Sequence, residues 1–76
     1  MKMGFYVEKD DGTTEKVDME EVQKYAKDGQ TIAWDPIKAV RCAAACQSRS
    51  GFAACVARCI ATGEVCDSGL NNCSPL

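Results

Sequence analysis

The chain contains no histidine. That removes the usual general base of catalytic sites and the mixed cysteine–histidine metal centre. Large apolar residues are scarce: two Leu, three Ile, six Val and two Phe among 76 residues. This is about 17% of the chain, under the roughly 20% where a packed core becomes doubtful. The hydrophobic total of 46% is reached only by counting ten alanines and six cysteines. No apolar run approaches the roughly 18 residues that span a bilayer. The start, Met1-Lys2-Met3-Gly4-Phe5-Tyr6-Val7, meets Glu8 before it reaches the roughly 7–15 apolar residues of a secretory signal. Glycine-rich phosphate loops and acidic calcium-loop patterns are missing. A net charge of −2 gives no electrostatic case for nucleic acid. The expectation is a protein that is not an enzyme, needs no cofactor, binds no metal or nucleic acid and has no transmembrane segment.

What the chain does have is cysteine. Domains this short usually need cross-links, a metal or a partner to hold together. Six cysteines with no histidine fit disulfides better than a metal site. Disulfides in turn imply an extracellular or other oxidising compartment, although the N-terminus shows no recognisable signal for one.

Charge and punctuation divide the chain at Asp35-Pro36. Residues 1–35 carry five lysines against nine acids, net −4, and no cysteine. Residues 36–76 carry Lys38, Arg41, Arg49 and Arg58 against Glu64 and Asp67, net +2, and every cysteine. In the first part, Gly4–Val7 and Thr13–Val17 flank the turn signal Asp10-Asp11-Gly12 and read as a β-hairpin. Asp18 and Glu21 fit a capping box for a helix bearing Met19, Val22, Tyr25 and Ala26, with Gly29 as its left-handed C-cap. Thr31-Ile32-Ala33-Trp34 reads as a third strand. Phe5, Val7, Val17, Val22, Tyr25, Ile32 and Trp34 are the available core of this module, with Trp34 as its anchor.

In the second part Asp35 is a good N-cap and Pro36 suits the first helical position, so a helix should run from Pro36 to about Gln47. After Ser48-Arg49-Ser50-Gly51 a second helix should run from Phe52 to Thr62, closed by Gly63. Glu64–Leu76 reads as irregular. The fold class is therefore a small disulfide-rich α+β protein: a ββα(β) module or leader over 1–35, then a stapled helical hairpin with an irregular tail over 36–76.

The cysteines repeat as Cys42-Ala-Ala-Ala-Cys46 and Cys55-Val-Ala-Arg-Cys59. Residues four apart share one helix face, and two helices joined by a tight turn run antiparallel. First then faces last, and second faces third. The expected bridges are Cys42–Cys59 and Cys46–Cys55, leaving Cys66–Cys73 to close the tail. Ala43, Ala44, Ala45, Ala53, Ala54 and Ala57 favour helix and let the backbones approach to the roughly 4.4–6.8 Å that a disulfide spans.

This twin CxxxC spacing, from Cys42 to Cys59, resembles the stapled hairpins of plant α-hairpinins, short helical scorpion toxins and the small translocase chaperones of the mitochondrial intermembrane space. The eight residues between the motifs are nearer to the toxin-like hairpins. The resemblance implies the hairpin fold and leaves activity open. CxxxC repeats also resemble the core peptides of thioether-bridged sactipeptides, in which the acidic first part would be a leader. Four thiolates taking zinc or copper(I) is a further alternative.

No catalytic constellation emerges, and nothing beside Cys66 or Cys73 lowers a thiol pKa. The candidate partner-contacting residues are Arg41, Arg49, Phe52 and Arg58, offered to a protein or an anionic membrane surface. A two-helix hairpin has one interior face, so some of Val40, Phe52, Val56 and Ile60 should stay exposed. Two functional expectations follow. One is a secreted peptide effector, antimicrobial or toxin-like, carried by the hairpin and masked by the acidic front. The other is an interaction or chaperone module of an oxidising compartment that uses both parts.

Overall fold

The computed structural model describes residues 4–67 and 72–76. The chain opens with strands β1 (Gly4–Glu8) and β2 (Thr14–Asp18), antiparallel in a register that sets Phe5 opposite Val17 and Tyr6 opposite Lys16. The loop between them closes with Gly12 N–H to the Lys9 carbonyl (3.0 Å) and Lys9 N–H to the Thr13 carbonyl (2.7 Å). Gly12 takes φ +87° there, the left-handed position that a loop of this length reserves for glycine. Strand alternation then puts Val7 and Val17 inward and Tyr6 and Lys16 outward.

Helix α1 (Met19–Lys24) follows directly. Asp18 stands at its N-cap, but its side chain makes no capping bond, so the expected capping box does not form. The carboxylate turns back across the hairpin instead. Its Oδ1 lies 3.6 Å from Lys16 Nζ, and so close to Gly4 that a Cβ there would sit 2.9 Å away. The helix is also shorter than its apolar spacing implies. Tyr25 and Ala26 donate to the carbonyls three residues back, Val22 and Gln23, both at 3.1 Å, which tightens the last turn and ends it. Gly29 (φ +79°) is not its C-cap; it belongs to the next turn, where Gln30 N–H meets the Lys27 carbonyl at 2.9 Å. Residues 31–35 form no strand. The Gln23 side chain, not a neighbouring backbone, takes the Ile32 carbonyl at 3.0 Å.

Helices α2 (Pro36–Cys46) and α3 (Phe52–Thr62) stand as their signals predict. The Asp35 carboxylate accepts from the N–H groups of Ile37 (3.0 Å) and Lys38 (3.4 Å). Gly51 and Gly63, both at positive φ, flank α3, and Gly63 N–H returns to the Cys59 carbonyl at 2.8 Å. The tail is less irregular than expected. Strands β3 (Glu64–Val65) and β4 (Ser74–Pro75) pair antiparallel, and Leu76 N–H reaches the Gly63 carbonyl at 2.9 Å.

The elements share one contiguous core. Val17 and Val22 from the front segment and Val56, Ile60, Cys42, Cys46 and Cys59 from the rear are its most deeply buried large side chains. Helix α3 is at the centre, packed against α2 on one side and against α1 and β2 on the other. That position explains why Phe52, Cys55, Val56, Ala57, Cys59, Ile60 and Ala61 are all buried along it. Trp34 is not the anchor expected of it. It is 38% exposed, with its ring against Phe5 at the rim of the core.

Candidate functional site

The cysteines pair as their spacing predicts. Cys42–Cys59 and Cys46–Cys55 join α2 to α3 with Cα–Cα distances of 5.7 and 5.9 Å, and Cys66–Cys73 closes the tail. This is a disulfide-stapled helical hairpin. The bridge between the helices works because small residues sit beside it: Ala43 and Ala57 are buried in the seam. With no cysteine left free, thiolate chemistry requires prior reduction.

The four residues expected to contact a partner lie in different settings. Arg41 is exposed on α2. Arg49 turns inward to the tail: Nη1 donates to the Asn72 carbonyl at 2.7 Å and lies 3.3 Å from Asp67 Oδ1. The Arg58 guanidinium stacks over the Tyr25 ring, 4.6 Å from its centre, and so joins α3 to the front segment. Phe52 is only 4% exposed and lies under the Lys9 ammonium, 5.6 Å away. Phe52 is therefore a core residue, and two of the three arginines are engaged in internal contacts. The expectation for Val40, Phe52, Val56 and Ile60 resolves cleanly: Val40 is 70% exposed and the other three are buried.

A different surface gathers exposed apolar side chains. On α2, Ala39, Cys42, Ala43 and Cys46 face the core, while Ile37, Val40 and Ala44 follow one another at helical spacing on the outside. Ile37 and Val40 are exposed, and so is Tyr6 on β1. Between β1 and α2 runs an open groove of about 530 Å³, lined by Phe5, Tyr6, Trp34, Pro36, Val40 and Ala44 among others. At one end stand the exposed carboxylates of Glu8 and Asp10. The floor there is fixed by Gln47, whose Nε2 donates to the Glu8 carbonyl (3.0 Å) and whose Oε1 accepts from Asp10 N–H (2.7 Å). The sequence does carry a sign of this face: α2 has two apolar stripes, and a single helical hairpin buries only one.

In the β1–β2 loop, Asp11 accepts from the hydroxyl (2.5 Å) and N–H (2.9 Å) of Thr13. The Thr13 side-chain bond, followed by its backbone bond, holds the Asp11 carboxyl below its ordinary pKa.

No protein-family model, curated protein or solved structure matches the chain.

Proposed function

We propose that the protein is a non-enzymatic interaction module of an oxidising compartment, binding a partner through the face shared by β1, Trp34 and α2. One observation carries the reading: three exposed apolar side chains line a single groove where the front and rear segments meet, Tyr6 and Trp34 from one and Val40 from the other. Contiguous exposed apolar surface on so small a protein is characteristic of contact sites. Three intramolecular disulfides are compatible with an oxidising environment. A chain without histidine, built on a rigid stapled frame, suits binding better than acid–base catalysis.

The secreted-effector reading uses the same rigid frame but leans on a cationic face of the rear hairpin. Arg49 and Arg58 are turned to Asp67 and Tyr25, which leaves Arg41 to supply it. The two readings separate in one experiment. A photo-crosslinking side chain is placed at Val40 and, as control, at the exposed Ser48 of the full oxidised chain, which is then irradiated in extract from its source. A discrete adduct from position 40 only, abolished by Tyr6→Asp, is the expected result. Leakage of anionic vesicles by the chain, without any adduct, transfers the case to the effector.

A further inference from the structure

Among the described residues strand β1 pairs with one strand, β2, which leaves its other edge without a strand partner. The direction of its backbone groups follows from the loop. Lys9 N–H donates to the Thr13 carbonyl, and hydrogen-bonded pairs alternate along an antiparallel ladder. Val7 and Phe5 therefore face β2 with both backbone groups, while Gly4, Tyr6 and Glu8 turn theirs outward. The Gln47 contacts agree with this phase. Its side-chain amide bonds the Glu8 carbonyl and the Asp10 N–H together, as the backbone of a neighbouring strand residue would.

Gln47 thus fills one position of the missing strand and stops there. The Tyr6 N–H and carbonyl, next along the edge, have no hydrogen-bond partner among the described residues. Edges of this kind are normally blunted by lysine, proline, a bulge or a covering element. Here the uncovered stretch borders the groove lined by Trp34, Pro36, Val40 and Ala44. Glu8 and Asp10 close the groove's far end, and no basic residue lines it among the described residues. Neither carboxylate has an ion-pair partner among the described residues.

We propose that the β1 edge receives an extended strand of a partner polypeptide. The added backbone pairs with Tyr6, alternate apolar side chains seat between Trp34 and Val40, and a lysine or arginine lies beside Glu8 and Asp10. This rests on the interaction-module reading and specifies its occupant. Three features select an extended, partly basic peptide over other occupants. The free backbone pair supplies affinity without regard to sequence, the groove takes every second side chain, and the acids set the charge and register. An anionic bilayer offers no backbone to Tyr6 and is repelled by the acidic rim. A second copy would bring its own Glu8 and Asp10 to the seam.

The test uses the full oxidised chain and a displayed library of random short peptides. Enriched sequences should alternate apolar and polar residues and carry a basic residue at one end. Their affinity should fall about tenfold or more, the equivalent of one good hydrogen bond, when the Tyr6 amide is N-methylated by chemical synthesis. Val40→Asp should do the same. Both changes are at exposed positions off the β1–β2 ladder, so circular dichroism should stay unchanged. Peptides without alternation or a basic residue, or peptides indifferent to N-methylation, overturn the proposal. Dimerisation of the chain that N-methylation abolishes overturns it too, because the edge then serves a second copy. If the Val40 crosslink persists while strand pairing fails, the module reading survives without this binding mode; if both fail, the reading itself falls.

Discussion

At the scale of single residues, polar side chains decide how the hairpin is held. Asp11 accepts both the hydroxyl and the N–H of Thr13, and these bonds favour its ionised form. Its folded pKa is depressed, so the support it gives the turn is fully present above the ordinary aspartate range. That support is lost as pH falls through the folded value. Thr13→Val removes the larger of the two causes and should raise the Asp11 pKa, read by NMR titration of its carboxyl carbon. An unchanged midpoint would mean that the hydroxyl is not the cause. Gln47 acts over a longer range, joining α2 to β1 across 39 positions of sequence. Its two backbone partners are solvent-accessible enough to find water once the amide is gone. Gln47→Ala should therefore cost only about 1 kcal/mol in chemical denaturation, while protection of the Asp10 amide against hydrogen exchange disappears. A loss of several kcal/mol would show that Gln47 holds α2 in place rather than trimming a strand edge.

At the scale of elements, legibility follows from how local the cause is. The hairpin of α2 and α3 is written in residues that act on their neighbours: Asp35 capping, Pro36 starting, Gly51 and Gly63 breaking, and cysteines four apart choosing the inner face. The β1–β2 pair is equally local, since the Asp10-Asp11-Gly12 loop sets its register. Three expectations failed where other bonds took the groups they relied on. Asp18 leaves its cap for the Gly4–Lys16 side of the sheet, α1 stops before Gly29, and Gln23 takes the carbonyl that a strand at Ile32 would have used. The groove was half legible. Counting hairpin faces implied that some of Val40, Phe52, Val56 and Ile60 stay exposed without saying which, and the union of Val40 with Tyr6 depends on where β1 lands. The contacts of Arg49 and Arg58 were not legible, because Asp67 and Tyr25 sit across from them only once the chain has folded. The staples should matter as much as their spacing implies. Replacing Cys46 and Cys55 together by alanine removes a bridge that closes a separation of 9 residues. The loss should be roughly 2–4 kcal/mol, with a lower thermal midpoint and reduced helical circular dichroism. A chain that keeps both when fully reduced would show that packing alone sustains the hairpin.

At the scale of the whole molecule, the division at Asp35-Pro36 becomes a physical question. Charge and cysteine content differ across it, yet the core does not stop there. Val17 and Val22 from the front lie in the same cluster as Val56 and Ile60 from α3, and all four are almost wholly buried. Arg58 over Tyr25 and Lys9 over Phe52 cross the same boundary. A peptide of residues 36–76 keeps its six cysteines and its α2–α3 seam but uncovers the face of α3 that β2 and α1 occupy. The staples hold the two helices together without giving Val56 and Ile60 anything to face. Such a peptide should form its bridges and retain helix, yet self-associate, and sedimentation should find it larger than a monomer. Within the intact chain, Val22→Ala tests the same seam without truncation. Removing two buried methyl groups from a fully enclosed site should cost about 2 kcal/mol. Because one core serves both segments, the loss should appear as a single, earlier unfolding transition shared by Trp34 fluorescence and far-UV circular dichroism. Two separated transitions, or a monomeric and well-folded 36–76 peptide, would mean that the hairpin is autonomous. The effector reading would then regain its footing, since a hairpin that folds alone needs no front segment to act.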